Sequence, residues 1–114
     1  MSDCLFCKMV NGDITPDIIY QNDTVMAFRD INPRAPTHIL IIPRHHISSL
    51  NDLDTAQATV LGDMYLAAQH IASDAGVAAS GYRTVINCGD DGGQTVYHLH
   101  MHLLGGRALS WPPG

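Results

Sequence analysis

Basic residues are scarce in this chain: six Lys and Arg stand against eleven Asp and Glu over 114 residues, a formal net charge of −5. Binding to a nucleic-acid backbone leans on clustered cations that release counterions, so this balance excludes a general nucleic-acid binder. A small nucleotide held by backbone N–H groups, hydroxyls and imidazoles is not excluded. Long apolar runs are also missing, since none approaches the roughly 18 residues that span a bilayer. Met1-Ser2-Asp3-Cys4 has neither the basic nor the apolar region of a secretory leader, and the expectation is a cytoplasmic protein without membrane contact. No repeat, linker or low-complexity tract interrupts the chain, so residues 1–114 read as one domain. Charged residues make up 15% and apolar residues 46%, a globular composition that leaves surface for a partner subunit to cover. Cysteine is sparse. Two of the three, Cys4 and Cys7, have C-x-x-C spacing, which in a reducing compartment points to metal or redox chemistry rather than a disulfide.

The patterning predicts strands around one long helix. Leu5, Phe6, Met9 and Val10 recur at helical spacing before Asn11-Gly12, a short helix and its stop. Ile18-Ile19-Tyr20 and Val25-Met26-Ala27-Phe28, split by Gln21-Asn22-Asp23, predict a hairpin. Asn32-Pro33-Arg34-Ala35-Pro36 forces a turn, because prolines cannot serve a ladder, and Thr37–Ile42 reads as a central strand closed by Pro43. From Asp54 to Ala75 apolar residues recur at three and four, from Val60 and Leu61 through Met64, Ala67, Ala68 and Ile71. Asp54 with Gln57 resembles a capping box, and Gly76 is placed as the stop. Tyr82–Cys88 and Val96–Leu104 read as two last strands joined by Gly89-Asp90-Asp91-Gly92-Gly93. Local hairpins around a single helix favour an antiparallel α+β sheet. His70 falls on the outer face of the helix, and Cys88 reads as a plain strand residue.

The most informative stretch is His98-Leu99-His100-Met101-His102-Leu103-Leu104. Alternation in a strand places three imidazoles on one face while Leu99, Met101 and Leu103 face the core. Such a row is a poor packing motif. Standing alone, H-x-H on a strand could also hold zinc, so the flanks decide. Gly92-Gly93-Gln94-Thr95-Val96-Tyr97 leads in and Gly105-Gly106-Arg107 leads out. The whole run resembles the signature of the histidine triad (HIT) family, in its nucleotide-binding, Hint-type branch. Ala27-Phe28-Arg29-Asp30-Ile31-Asn32-Pro33-Arg34-Ala35-Pro36-Thr37-His38 is similar to that family's ribose-binding segment, and Ser110-Trp111-Pro112-Pro113-Gly114 to its C-terminal end.

The resemblance implies a five-stranded antiparallel sheet with one long and one short helix, and a homodimer whose two sheets join into a continuous ten-stranded one. It implies a phosphoramidase: His100 displaces the amine from a purine nucleoside phosphoramidate to give a nucleotidyl-histidine, which water then hydrolyses. Imidazole suits the task, being nucleophilic at one nitrogen while the other donates a bond that fixes the tautomer. His102 is then a donor to the phosphate oxygens, His38 and Asn87 steady the nucleophile and contact the phosphate, and Thr95 supplies a hydroxyl near the leaving group. Gly93 and Gln94 offer backbone N–H groups. Asp30 accepts from the ribose hydroxyls, Ile31 packs on the base, and Met101 and Trp111 complete the nucleotide-binding set. Read without the resemblance, Asp30 can also serve as a simple turn residue and Asn87 as a strand cap. The ligands expected are AMP or GMP and their phosphoramidates, with no cofactor required for the chemistry. Two other readings stand beside it: a dinucleoside polyphosphate hydrolase of the same family, and a nucleotide-binding interaction module with incidental turnover.

The resemblance also extends to family members that carry structural zinc. Their ligands map here to Cys4, Cys7, His46 and His98, two thiolates and two imidazoles that form a closed set. The alternative makes Cys4 and Cys7 ordinary residues of the short helix. A redox role is disfavoured, since no βαβ pattern accompanies the pair.

Overall fold

The computed structural model describes residues 3–114. Met1 and Ser2, part of the terminus read above as lacking a leader, lie outside the described residues. The chain runs α1 (Leu5–Asn11), β1 (Ile18–Gln21), β2 (Val25–Arg29), β3 (Thr37–Pro43), α2 (Thr59–Asp74), β4 (Tyr82–Val85) and β5 (Met101–Gly105), with 3-10 turns at Leu50–Asp52 and Thr55–Gln57. The strands form one five-stranded sheet in the order β1-β2-β3-β5-β4, and each neighbouring pair is antiparallel. Asn22 closes the first hairpin by accepting the Thr24 and Val25 N–H groups on its side-chain oxygen, each at 2.9 Å.

Alternation along the central strands divides the sheet into two faces. Val25 and Ala27 of β2, Ile39 and Ile41 of β3 and Met101 and Leu103 of β5 pack under α2, which buries Met64, Ala67, Ala68, Ile71 and Ala72 against them. Met26 and Phe28, with Leu40 and Ile42, turn to the other face, where α1 lays Phe6 over them. His38 belongs to the same face as Leu40, and His102 lies directly across from Leu40 in the β3–β5 register. The second face is thus covered by α1 at one end and bears imidazoles at the other.

Three predicted elements are shorter in the structure. Asp54 does cap, accepting the Gln57 N–H, but it caps the Thr55–Gln57 turn, and α2 begins at Thr59 without a side-chain cap. Gly76 follows the helix with φ +78° and donates to the Ser73 carbonyl, as its position predicts. The last strand covers Met101–Gly105 rather than Val96–Leu104, and β4 ends at Val85, leaving Cys88 beyond the strand. Ile41 pairs with Met101, so the next hydrogen-bonding partner for Leu99 in register is Pro43, which has no N–H to give. Leu99 instead donates to the Ile47 carbonyl at 2.6 Å, and His98 takes the Pro43 carbonyl with its ring. The alternation of side chains survives the loss of the ladder: Leu99 is fully buried under α2 while His98 and His100 face Phe6.

Candidate active site

His100 stands at the centre of the imidazole face, 6% exposed, with its ring edge-on to Phe6 at 5.2 Å. Its Nδ1 lies 2.7 Å from the His98 carbonyl oxygen, an atom that only accepts. The proton is therefore on Nδ1, and Nε2 carries a lone pair. Burial holds His100 below the ordinary imidazole range, which keeps that lone pair unprotonated near neutral pH. The ring lines a cavity of about 830 Å³ together with Phe28, Leu40, Thr95 and His102.

Beside it, His38 Nε2 is 2.9 Å from His102 Nδ1 and 3.4 Å from Asp30 Oδ2. Burial lowers the pKa of both histidines; His102, which also faces the rings of His100 and His38, falls to about 4. Asp30 divides its carboxylate: Oδ1 accepts the Asn32 N–H at 2.8 Å, closing the turn, while Oδ2 faces His38. The turn reading of Asp30 is met by Oδ1, and Oδ2 faces the cavity histidines. Ile31, next to it, is 92% exposed on the cavity rim.

Other expected contacts are redistributed. The Gly93 N–H donates to the Asp90 carbonyl and the Gln94 N–H to the Gly89 carbonyl, both at 3.0 Å, so the loop uses both amides internally. The Gln94 side chain is buried and ties the same loop down, accepting from Gly89 N–H and donating to the Ser48 and Val96 carbonyls. Thr95 emerges from this loop into the cavity. Asn87 lies just past β4 behind Gly93 and is not a cavity wall. The Met101 side chain is fully buried under α2, on the face away from the cavity, and Trp111 is 81% exposed outside it. Alternation accounts for Met101, since a residue between His100 and His102 must point the opposite way.

His98 faces a different group. Its Nδ1 is 3.3 Å from Cys4 Sγ and 3.6 Å from Cys7 Sγ, and Cys7 Sγ is 3.3 Å from His46 Nδ1. The four ligand atoms lie within 4.8 Å of one another. Tetrahedral zinc at its usual bond lengths sets a sulfur–nitrogen separation of about 3.6 Å, so the donor set fits that ion. The tautomer fits as well: His98 Nε2–H donates to the Pro43 carbonyl at 2.9 Å, leaving Nδ1 free to ligate, and His46 Nε2 rests 3.2 Å from Ser48 Oγ. Burial and the neighbouring Cys4 push the Cys7 thiol up, a penalty that a metal would reverse.

A family model described as the HIT domain matches residues 11–109. The chain belongs to the HIT family. It is 50% identical over 107 residues to the purine nucleoside phosphoramidase of Escherichia coli, covering 94% of this chain and 90% of that protein. A HIT family hydrolase from Legionella pneumophila superposes with a TM-score of 0.96 at 46% identity, over 98% of this chain and all of that one. A histidine triad protein from Clostridium difficile gives 0.94 at 42% identity over 96% of each chain. The fold is the HIT fold, and the chain is a hydrolase of this family.

The matched HIT region begins at the last residue of α1. Cys4, Phe6 and Cys7 therefore precede it, while His46 and His98 lie within it. The cysteine–histidine cluster joins an N-terminal helix to the HIT sheet beneath the segment that carries His100. Phe6 was missed by sequence reasoning as a site residue, although its ring contacts both His98 and His100 and lines the cavity. Helical spacing marks Phe6 as apolar-face; which face of the sheet α1 covers is a tertiary fact.

Proposed function

We propose that this HIT hydrolase cleaves the P–N bond of purine nucleoside phosphoramidates through a nucleotidyl-histidine on His100. The observation that carries the reading is the His100 Nδ1 bond to the His98 carbonyl, which leaves an unprotonated Nε2 on a ring that lines the cavity. Nε2 attacks the α-phosphorus, the P–N bond breaks, and the amine leaves with a proton taken from solvent beside the Thr95 hydroxyl. Water then attacks the phosphorus and releases His100 and a nucleoside monophosphate. The His102 N–H donates to a phosphate oxygen as charge builds there, Asp30 holds the ribose, and Ile31 covers the base. Fifty per cent identity to a purine nucleoside phosphoramidase supports the substrate class.

Zinc held by Cys4, Cys7, His46 and His98 is part of this proposal. The ligand set is closed, so the ion supplies stability rather than an activated water. The reducing cytoplasm, where the thiols stay free, suits it. We place the protein there as a homodimer. The test is to mix purified protein with adenosine 5′-monophosphoramidate and with a diadenosine polyphosphate, and to trap the adduct for mass spectrometry. Preferential cleavage of the phosphoramidate with an adenylyl group on His100 is expected. Preference for the dinucleotide, or an adduct on His98 or His102, overturns the assignment, and binding without turnover favours an interaction module.

A further inference from the structure

We infer that the backbone amide of Arg34 sets the proton positions across the site, fixing His38 and then His102 as neutral Nε2–H imidazoles and denying the Asp30–His38–His102 group to divalent metals. Arg34 acts here as a positioning residue through its peptide N–H, not its guanidinium.

A peptide N–H can only donate, and that of Arg34 lies 3.0 Å from His38 Nδ1. His38 Nδ1 must then hold a lone pair, since a proton there would set N–H against N–H. The single proton of neutral His38 is thereby placed on Nε2. Its partner at 2.9 Å, His102 Nδ1, must accept, and the proton of His102 is on Nε2 in turn. Because His102 lines the cavity and Nδ1 is engaged, Nε2–H is the one donor it has left for a ligand. One amide thus orders two imidazoles in series.

The geometry that aims this amide is held at both ends. The Asp30 N–H donates to the His38 carbonyl at 3.0 Å, closing the Asp30–His38 loop at the foot of β3. On the far side of the Arg34 residue, Arg107 Nε donates to the Arg34 carbonyl at 3.0 Å. Leu40 opposite His102 and His38 opposite Leu104 set the two imidazoles diagonally across adjacent strands.

The same bond separates two clusters that spacing alone does not. In both, the ligand atoms fall within 4.8 Å of one another. In the cysteine cluster, the imidazole of His98 has a carbonyl behind it, so the proton is drawn to Nε2 and Nδ1 is free for a metal. Behind His38 there is an amide N–H instead. For Nε2 of His38 to ligate, its proton would have to move to Nδ1, where the Arg34 proton already points.

The inference rests on the proposed nucleotide reading only for what the His102 donor meets; the proton positions are tested independently. The protein is labelled with ¹⁵N-histidine, and long-range ¹H–¹⁵N correlation assigns each ring. His38 and His102 are expected as Nε2–H tautomers near neutral pH; either one found as Nδ1–H or doubly protonated overturns the inference. Cobalt(II) is then titrated with optical detection. The parent is expected to give only bands with thiolate-to-metal character, whereas a thiolate-free site displaced by AMP overturns the inference. Arg34→Pro removes the amide proton, and a backbone ester at position 34 does so if the proline variant does not fold. Loss of the parental tautomers and appearance of the AMP-displaced cobalt site are expected, and retention of the parental tautomers overturns the inference. An inactive protein with the expected tautomers sinks the phosphoramidase reading alone; an active one with Nδ1–H His38 sinks this one alone.

Discussion

His100 is oriented by one short bond to the backbone and by edge contact with Phe6, neither of which involves the ligand. Replacing it by alanine removes the lone pair and leaves the cavity walls in place. Turnover of an adenosine phosphoramidate is expected to fall by orders of magnitude with AMP affinity retained, read by steady-state kinetics and calorimetry. A variant within about tenfold of the parent rate would mean another nucleophile. His102 gives a pH prediction. Burial, reinforced by the facing rings of His100 and His38, brings it from 6.5 to about 4. The unfolded chain therefore takes up this proton first as pH falls, and proton uptake there favours unfolding. The contribution to stability is full above 6.5, declines from there toward about 4, and is flat below. Urea melts of the parent and of His102→Asn through that window are expected to show a weaker decline in the variant; parallel curves would remove His102 from the account.

At the scale of elements, the loop before the site and the helix beneath it are held by different means. A Cβ added at Gly92 would meet the Cys88 carbonyl oxygen at 2.4 Å, a backbone atom that cannot swing aside. Gly92→Ala is expected to displace the loop that presents Thr95 and to lower kcat/KM by roughly ten- to a hundredfold, because small misplacements at a reacting centre are costly. Unchanged kinetics would show that the loop tolerates the shift. Helix α1 is tied down through the cysteine–histidine cluster. Elemental analysis of protein purified without chelator is expected to find zinc, and Cys4→Ser with Cys7→Ser to remove it. An ion held there would stiffen the segment under His100 without touching the cavity, so melting temperature is expected to fall by more than turnover does. Metal-free parent protein, or a double variant that melts like it, would leave the cysteines as packing residues.

For the whole molecule, the proposed homodimer would pair through one edge of the sheet. β1 carries a register shift between Ile18 and Tyr20, a common guard against edge pairing, while the β4–β5 register runs without one. β4 is the edge we expect to pair across a two-fold axis, giving the continuous ten-stranded sheet. Exposed Tyr65 and Leu66 of α2 are further apolar surface that a partner would cover. Sedimentation at micromolar concentration is expected to give twice the 12.4 kDa chain mass, and Leu66→Asp to shift it toward the monomer. A parent that sediments as an active monomer contradicts the proposal.

The chain order of strands and helices, the hairpin turn at Asn22, the α2 stop at Gly76 and the imidazole alternation were all legible in the sequence, because each follows from local periodicity or from one residue's backbone preference. The same alternation put Leu99, Met101 and Leu103 under α2 even where the ladder stops. Where that ladder stops depended on Pro43, whose missing N–H matters only once Leu99 comes into register with it. That Gly93 and Gln94 use their amides within the loop, that Phe6 rather than a strand residue backs His98 and His100, and that an amide stands behind His38 but a carbonyl behind His98 were likewise set by tertiary structure. Residue types fix which atoms can donate or accept. Only the packed chain decides which of them face one another, and an imidazole takes its proton from that encounter.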